Sequence, residues 1–217
     1  MADASEMMPG PADLGPVLAE AGILGGTLGL KMSGVPLASI ADAVGTPTYV
    51  YSADVIKRRY EALSAALRPL QHRICFAVKA NSNLAVLRTL RDCGAGADLV
   101  SGGELQRALA AGFAPEHIVF SGVGKSRAEL KLAAATRVGH VNVESLEELH
   151  LLADVAAQVG EPVRVGIRVN PDVTAETHPY ISTGQGGIKF GVPADQVMAA
   201  VDFIKKHPIL RLTCLAM

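Results

Sequence analysis

A chain of 217 residues is long enough for one large domain, or for one domain and a small piece of another. Its 49% hydrophobic and 19% charged residues make a globular composition, not a disordered one. With 20 Lys and Arg against 21 Asp and Glu the net charge is -1, which provides no electrostatic case for nucleic-acid binding.

Residues 1–34 are rich in Gly, Pro and Met and lack sustained periodicity. They read as a loose leader with a short strand near Gly29–Met32. Asp3 and Glu6 stand where a secretory signal would carry basic residues, so no such signal is expected. After Pro47 the compact run Thr48–Tyr51 predicts a strand. Ile56, Tyr60, Leu63 and Leu67 then recur at helical spacing up to Pro69.

From there a unit repeats. Apolar run Ile74–Val78 precedes a helix over 83–93, Asp98–Val100 one over 102–111, and His117–Phe120 one over 126–137. His140–Val143 precedes a helix over 145–158. Val163–Val169 precedes a long loop and a helix over 194–206, and a last apolar run begins near Leu210. Three helix starts read Ser-x-x-Glu, at Ser101–Glu104, Ser126–Glu129 and Ser145–Glu148, the pattern of a capping box. Strands alternating with helices predict a parallel sheet, either an open doubly wound sheet or a closed (β/α)8 barrel. No Leu-x-x-Leu-x-Leu frame recurs, so a leucine-rich repeat is excluded. No apolar run approaches the roughly 18 residues needed to span a bilayer. Cys75, Cys93 and Cys214 form neither a zinc spacing nor a disulfide framework, so a reduced, cytoplasmic compartment is expected.

Five stretches carry potential chemistry. Ala77-Val78-Lys79-Ala80-Asn81 ends an apolar strand in a lysine, at the end of a strand where βα folds bind ligands. Partial desolvation there would favour the neutral amine that a Schiff-base lysine requires. A solvated lysine that merely ends a strand is the plainer alternative. In Asp98 through Leu105, capping explains Ser101 and Glu104 but not Asp98, an acid whose burial needs a partner. Gly122-Val123-Gly124-Lys125-Ser126 tempts towards a phosphate loop, yet the glycine that pattern needs is Val119. Gly94-Ala95-Gly96 similarly lacks a third glycine, because position 99 is Leu. Arg164, Gly166 and Arg168 share one strand face, with Arg168 nearer the rim that holds Lys79. There it either favours a neutral amine or forms a structural ion pair. Finally, His178-Pro179-Tyr180-Ile181-Ser182-Thr183-Gly184 and Lys189-Phe190-Gly191 lie in a loop of a length that is usually functional or disordered. The six histidines show no metal-ligand spacing.

Together with Tyr49-Val50-Tyr51, Phe76 through Asn81 and Arg168-Val169-Asn170-Pro171, these stretches resemble one family. Residues 35–212 are similar to the N-terminal portion of the diaminopimelate decarboxylases, within the alanine-racemase-like group of pyridoxal-phosphate enzymes. The His-Pro-Tyr-Ile-Ser-Thr-Gly and Lys-Phe-Gly stretches point to this branch over the ornithine and arginine enzymes. The resemblance implies a (β/α)8 TIM barrel that binds pyridoxal 5'-phosphate, followed by a β-domain that the strand near 29–32 would join. It implies Lys79 as the catalytic, cofactor-bearing lysine, Asp98 and Arg168 as cofactor-binding residues, and Lys189 near a homodimer interface. The implied reaction removes carbon dioxide from meso-diaminopimelate to give L-lysine, with no metal, nucleic acid or membrane involved. The alternatives are another amino-acid decarboxylase, a non-catalytic pyridoxal-phosphate-binding barrel, or a folded relic that binds nothing.

The family pattern continues beyond Arg211-Leu212-Thr213 into a His-Ile-Gly motif, whereas here Cys214-Leu215-Ala216-Met217 follows. The expectation is therefore a leader over 1–34 and an incomplete barrel over 35–217. It would be truncated within about the sixth strand, lack the C-terminal β-domain, and be inactive alone.

Overall fold

The computed structural model describes residues 14–25, 29–171 and 190–217. They belong to two compact units, the first ending at His72 and the second spanning Arg73–Met217.

In the first unit, helix α1 (Leu14–Glu20) precedes strands β1 (Ile23–Leu24), β2 (Lys31–Met32) and β3 (Val35–Pro36), which pair antiparallel in that order. Helices α2 (Leu37–Val44) and α3 (Ala53–Ala66) follow. Ser52 caps α3 by accepting from the Val55 amide at 3.2 Å and shares a 2.6 Å hydrogen bond with Ser33. The predicted strand at Thr48–Tyr51 is not formed. That run pairs with no strand among the described residues, and Tyr49 is 90% exposed. β-propensity reflects packing on a pleated surface, and here there is none.

The second unit alternates β4 (Cys75–Ala77), α4 (Leu84–Asp92), β5 (Gly96–Leu99), α5 (Gly102–Ala111), β6 (Ile118–Phe120), α6 (Arg127–Thr136), β7 (His140–Val143) and α7 (Leu146–Val159). It continues with β8 (Val163–Asn170), the short β9 (Val192–Pro193), α8 (Val197–Lys206) and β10 (Leu210–Ala216). The sheet order is β10-β8-β7-β6-β5-β4 with every pairing parallel, and β9 adds to the end of β8. This order decides between the two predicted architectures. A doubly wound sheet reverses its strand order at a switch point. Here each strand joins the same side of the one before it, which is the winding of a barrel wall.

The two faces of this sheet differ. Leu99, Ile118, Phe120, Val141, Val143, Val165 and Ile167 are fully buried and cluster with Leu87, Leu105, Leu130, Leu149 and Leu152 of the helices. Of the alternate strand positions, Asp98, His140, Asn142, Arg164 and Arg168 are polar, while Val119 and Gly166 are not. Burial and the charge of Arg164 push His140 below its ordinary range, against the opposing pull of Asp98, so its ring is neutral at pH 7.

Gly139 enters β7 where a Cβ would stand 2.6 Å from the Glu116 carbonyl and 2.7 Å from that of Ile118. Both neighbours are backbone, so neither can swing aside. Gly139→Ala should cost about 1–3 kcal/mol, the usual range for overpacking. Urea unfolding of the variant checks this, and an unchanged midpoint would refute it.

Candidate active site

Strand β4 ends at Ala77, and Val78–Ala80 continue as a single 3-10 turn before Asn83 caps α4 through the Ala85 amide at 2.8 Å. Lys79 therefore stands at the carboxyl end of β4, as the spacing predicts. It is not desolvated as expected. The chain leaves the strand before reaching Lys79, and the side chain is exposed. Among the described residues its amine has no hydrogen bond and no carboxylate partner. It borders a cavity of about 680 Å³ shared with Ser82, Leu84, Ser101, Glu104 and Arg107.

Asp98 lies on β5 beside Ala77 of β4. Its carboxylate accepts from the Ser121 hydroxyl at 2.7 Å, and the Ser121 oxygen accepts from Asn142 Nδ2 at 3.1 Å. These bonds supply the partner that the sequence leaves unexplained. The row continues to Gly166 on β8, where a Cβ would collide with Asn142 Oδ1 and would meet Cys214 Sγ at 2.6 Å. Only glycine lets the three strands approach so closely. Burial pushes the Cys214 thiol up, which disfavours its thiolate.

Arg168 donates from Nη1 to both oxygens of Glu144, at 2.9 and 3.2 Å, and its guanidinium stacks 5.2 Å from the Phe190 ring. Glu144 is 3% exposed and also accepts from the Gly122 amide at 3.0 Å. Arg168 is thus neutralised by a carboxylate. β5, β6 and β7 separate its strand from that of Lys79. Of the two sequence readings of Arg168, the ion pair is the one formed. His178 through Gly184 and Lys189 lie outside the described residues.

Ser121, Asn142 and Glu144 escape the sequence reading. Asn142 is hidden in an apolar run, and Glu144 passes for the start of a helix. A signal was present, because His140, Asn142 and Glu144 alternate with Val141 and Val143 and so share the polar face.

The glycine stretch before α6 cradles no phosphate. Lys125 points inward, and its ammonium donates to the carbonyls of Gly122 and Asn142 at 2.6 and 2.7 Å and to Glu148 at 2.6 Å. Burial pushes the Glu148 carboxyl above its ordinary range, while Lys125 and the Glu144 amide pull it back.

Of the three predicted capping boxes, only Ser126–Glu129 closes on itself. At the other two, each serine accepts from the glutamate amide, but the glutamate reaches one residue further back. Glu104 accepts from the Val100 amide at 2.8 Å, and Glu148 from that of Glu144 at 3.2 Å. Glu129 also accepts from the Gly102 amide at 2.8 Å, which ties α6 to the start of α5. The Gly102 and Ser126 backbone amides and the Ser126 hydroxyl hold its carboxyl below the usual range. A carboxyl depressed in the fold stabilises it above the unfolded value, near ~4.3, and loses that contribution as pH falls. The difference in unfolding midpoint between the parent and Glu129→Gln should therefore be largest near neutrality and shrink in acid. A difference that grows in acid would contradict this.

A pyridoxal-type cofactor needs an accessible amine for its aldehyde and polar groups about its ring. The free amine of Lys79 and the polar sheet face with Asp98 and Arg168 fit those needs. The model of the pyridoxal-dependent decarboxylases, pyridoxal binding domain, matches residues 53–216. The diaminopimelate decarboxylase of Pseudomonas aeruginosa is 54% identical over 170 residues, which is 78% of this chain and 41% of that protein. The solved diaminopimelate decarboxylase of Helicobacter pylori, complexed with L-lysine, matches with a TM-score of 0.78 and 41% identity, over 82% of this chain and 45% of that one. The enzyme of M. jannaschii in co-complex with L-lysine matches with a TM-score of 0.79 and 33% identity, over 89% and 46%. The chain thus spans less than half the length of these relatives.

Proposed function

Because the chain belongs to the pyridoxal-dependent decarboxylases, with 53–216 matching their pyridoxal-binding domain, we propose that it serves a diaminopimelate decarboxylase. The substrate would be meso-diaminopimelate and the products carbon dioxide and L-lysine. The observation that carries this reading is the amine of Lys79, unpaired among the described residues, at a strand's carboxyl end in a chain 54% identical to a diaminopimelate decarboxylase over 170 residues. The relatives solved with L-lysine support the same product.

In this reading Lys79 Nζ is the amine that would hold the cofactor through its aldehyde. Pyridoxal phosphate, when bound, takes up the electron pair that the departing carboxylate leaves behind. Asp98, steadied by the Ser121 hydroxyl, holds a carboxylate on the polar face beside β4. Arg168, steadied by Glu144, presents a fixed cation further round that face. Assembly as a homodimer and a cytoplasmic location complete the proposal. Among the described residues no helix is long and apolar enough to cross a membrane.

The test is chemical trapping. The chain is incubated with pyridoxal phosphate and reduced with borohydride, and the modified peptide is mapped by mass spectrometry. One adduct, on Lys79, is the expected result. Adducts scattered over surface lysines, or none, would defeat the assignment.

A further inference from the structure

We propose that Lys125, although it bonds none of Lys79, Asp98 and Arg168, is a positioning residue that sets Arg168 and Asp98 for the cofactor. This rests on the reading above, in which those two side chains face the cofactor.

Lys125 sits in one of the two glycine-rich stretches for which the nucleotide reading fails. Its side chain is 1% exposed, and its partner Glu148 is 8% exposed. A buried ammonium is stabilised only when its donors are all matched. Here three acceptors meet its three N–H groups: the Gly122 carbonyl, the Asn142 carbonyl and Glu148. Two of these are backbone atoms, one in the loop after β6 and one in strand β7. The ammonium therefore fixes one loop against the next strand.

The loop held in this way has two outlets. The Gly122 amide donates to Glu144, which holds Arg168. Ser121, the residue before it, donates to Asp98 and accepts from Asn142. Glu148 closes the circuit, since its second oxygen accepts from the Glu144 amide at 3.2 Å. Two ion pairs, Lys125–Glu148 and Arg168–Glu144, are thereby linked through the Gly122 backbone and through the Glu144 amide. Without Lys125 the carbonyls of Gly122 and Asn142 lose their donor, and the turn at Gly122, whose amide bonds Glu144, loses one of its ties to β7.

The test uses Lys125→Met combined with Glu148→Gln, which removes both charges together and leaves no unpaired buried ion. The first readout needs no cofactor. The Nη–H signals of Arg168 in isotope-labelled protein, assigned through Arg168→Lys, should exchange with solvent about tenfold faster in the double variant, while the core amides keep their positions. The second readout is the dissociation constant for pyridoxal phosphate. It should rise by about tenfold, and it should rise by clearly less when Lys125 and Glu148 are changed in an Arg168→Lys background, where only the Asp98 branch is left. Glu148→Gln alone leaves one acceptor where two are needed and should move the Arg168 signal less, in the same direction. An Arg168 signal that moves in neither variant overturns the positioning role. If the parent traps no cofactor on Lys79, the functional reading fails, while the Arg168 signal still decides the positioning role.

Discussion

Replacing Lys125 alone by Met should destabilise the second unit severely, and more than the double change Lys125→Met with Glu148→Gln. Removing one member of a buried ion pair leaves the other charge unmatched, at about 3–5 kcal/mol. A domain of this size has only about 5–15 kcal/mol in total. The double change removes the stranded charge and replaces one side chain with another of similar volume, so much of the loss should return. The single variant should also depend on pH in a definite direction. Burial already raises the Glu148 carboxyl, and loss of Lys125 removes its strongest counterweight. A carboxyl raised in the fold is accommodated with its proton on and costs stability once the unfolded chain can ionise. The variant should thus lose stability relative to the parent as pH rises above ~4.3. Urea unfolding at mildly acidic and mildly alkaline pH measures both effects. Equal stability of the single and double variants would show that the pair is not one unit.

Lys79→Ala should abolish the trapped cofactor and leave the fold almost unchanged. These two effects separate because the Lys79 side chain is exposed and unpaired among the described residues. Surface substitutions away from special features stay within about 0.5 kcal/mol. Chemically the loss should be complete, since alanine offers no amine and the other described lysines stand elsewhere. Lys125 is buried in its pair, and Lys205 lies on α8 beside Asp202. The checks are borohydride trapping and the thermal midpoint. Cofactor still trapped on another lysine, or a collapsed midpoint, would remove Lys79 from the role assigned to it.

The fold was legible in the sequence where local and long-range signals agree. Alternating strands and helices, with Ser-x-x-Glu at three helix starts, predict the parallel βα units that form. Helix α2 was not legible. Its N-cap is Pro36, which makes no side-chain bond, so the usual start signal is missing. The run Thr48–Tyr51 misleads for the opposite reason, because strong strand residues meet no partner. Within the site, the position of Lys79 followed from its strand, but its exposure did not, since that depends on where the strand stops. The partner of Asp98 is 23 residues away in sequence, and the partner of Arg168 is 24 away. Pairing across neighbouring strands cannot be read from one strand's pattern. It appears only when register is known.

The reach of Glu129 onto the Gly102 amide limits how freely this barrel wall can be rebuilt. A Cβ at position 102 would stand 3.0 Å from Glu129 Cγ, so the glycine and the glutamate fit each other across two successive units. Transplanting the loop before α5 into another scaffold would leave its first amide without an acceptor unless the following helix came with it. The smallest portable piece of this architecture is therefore a loop together with the helix start of the next unit, and recombination breakpoints placed inside that span should be poorly tolerated.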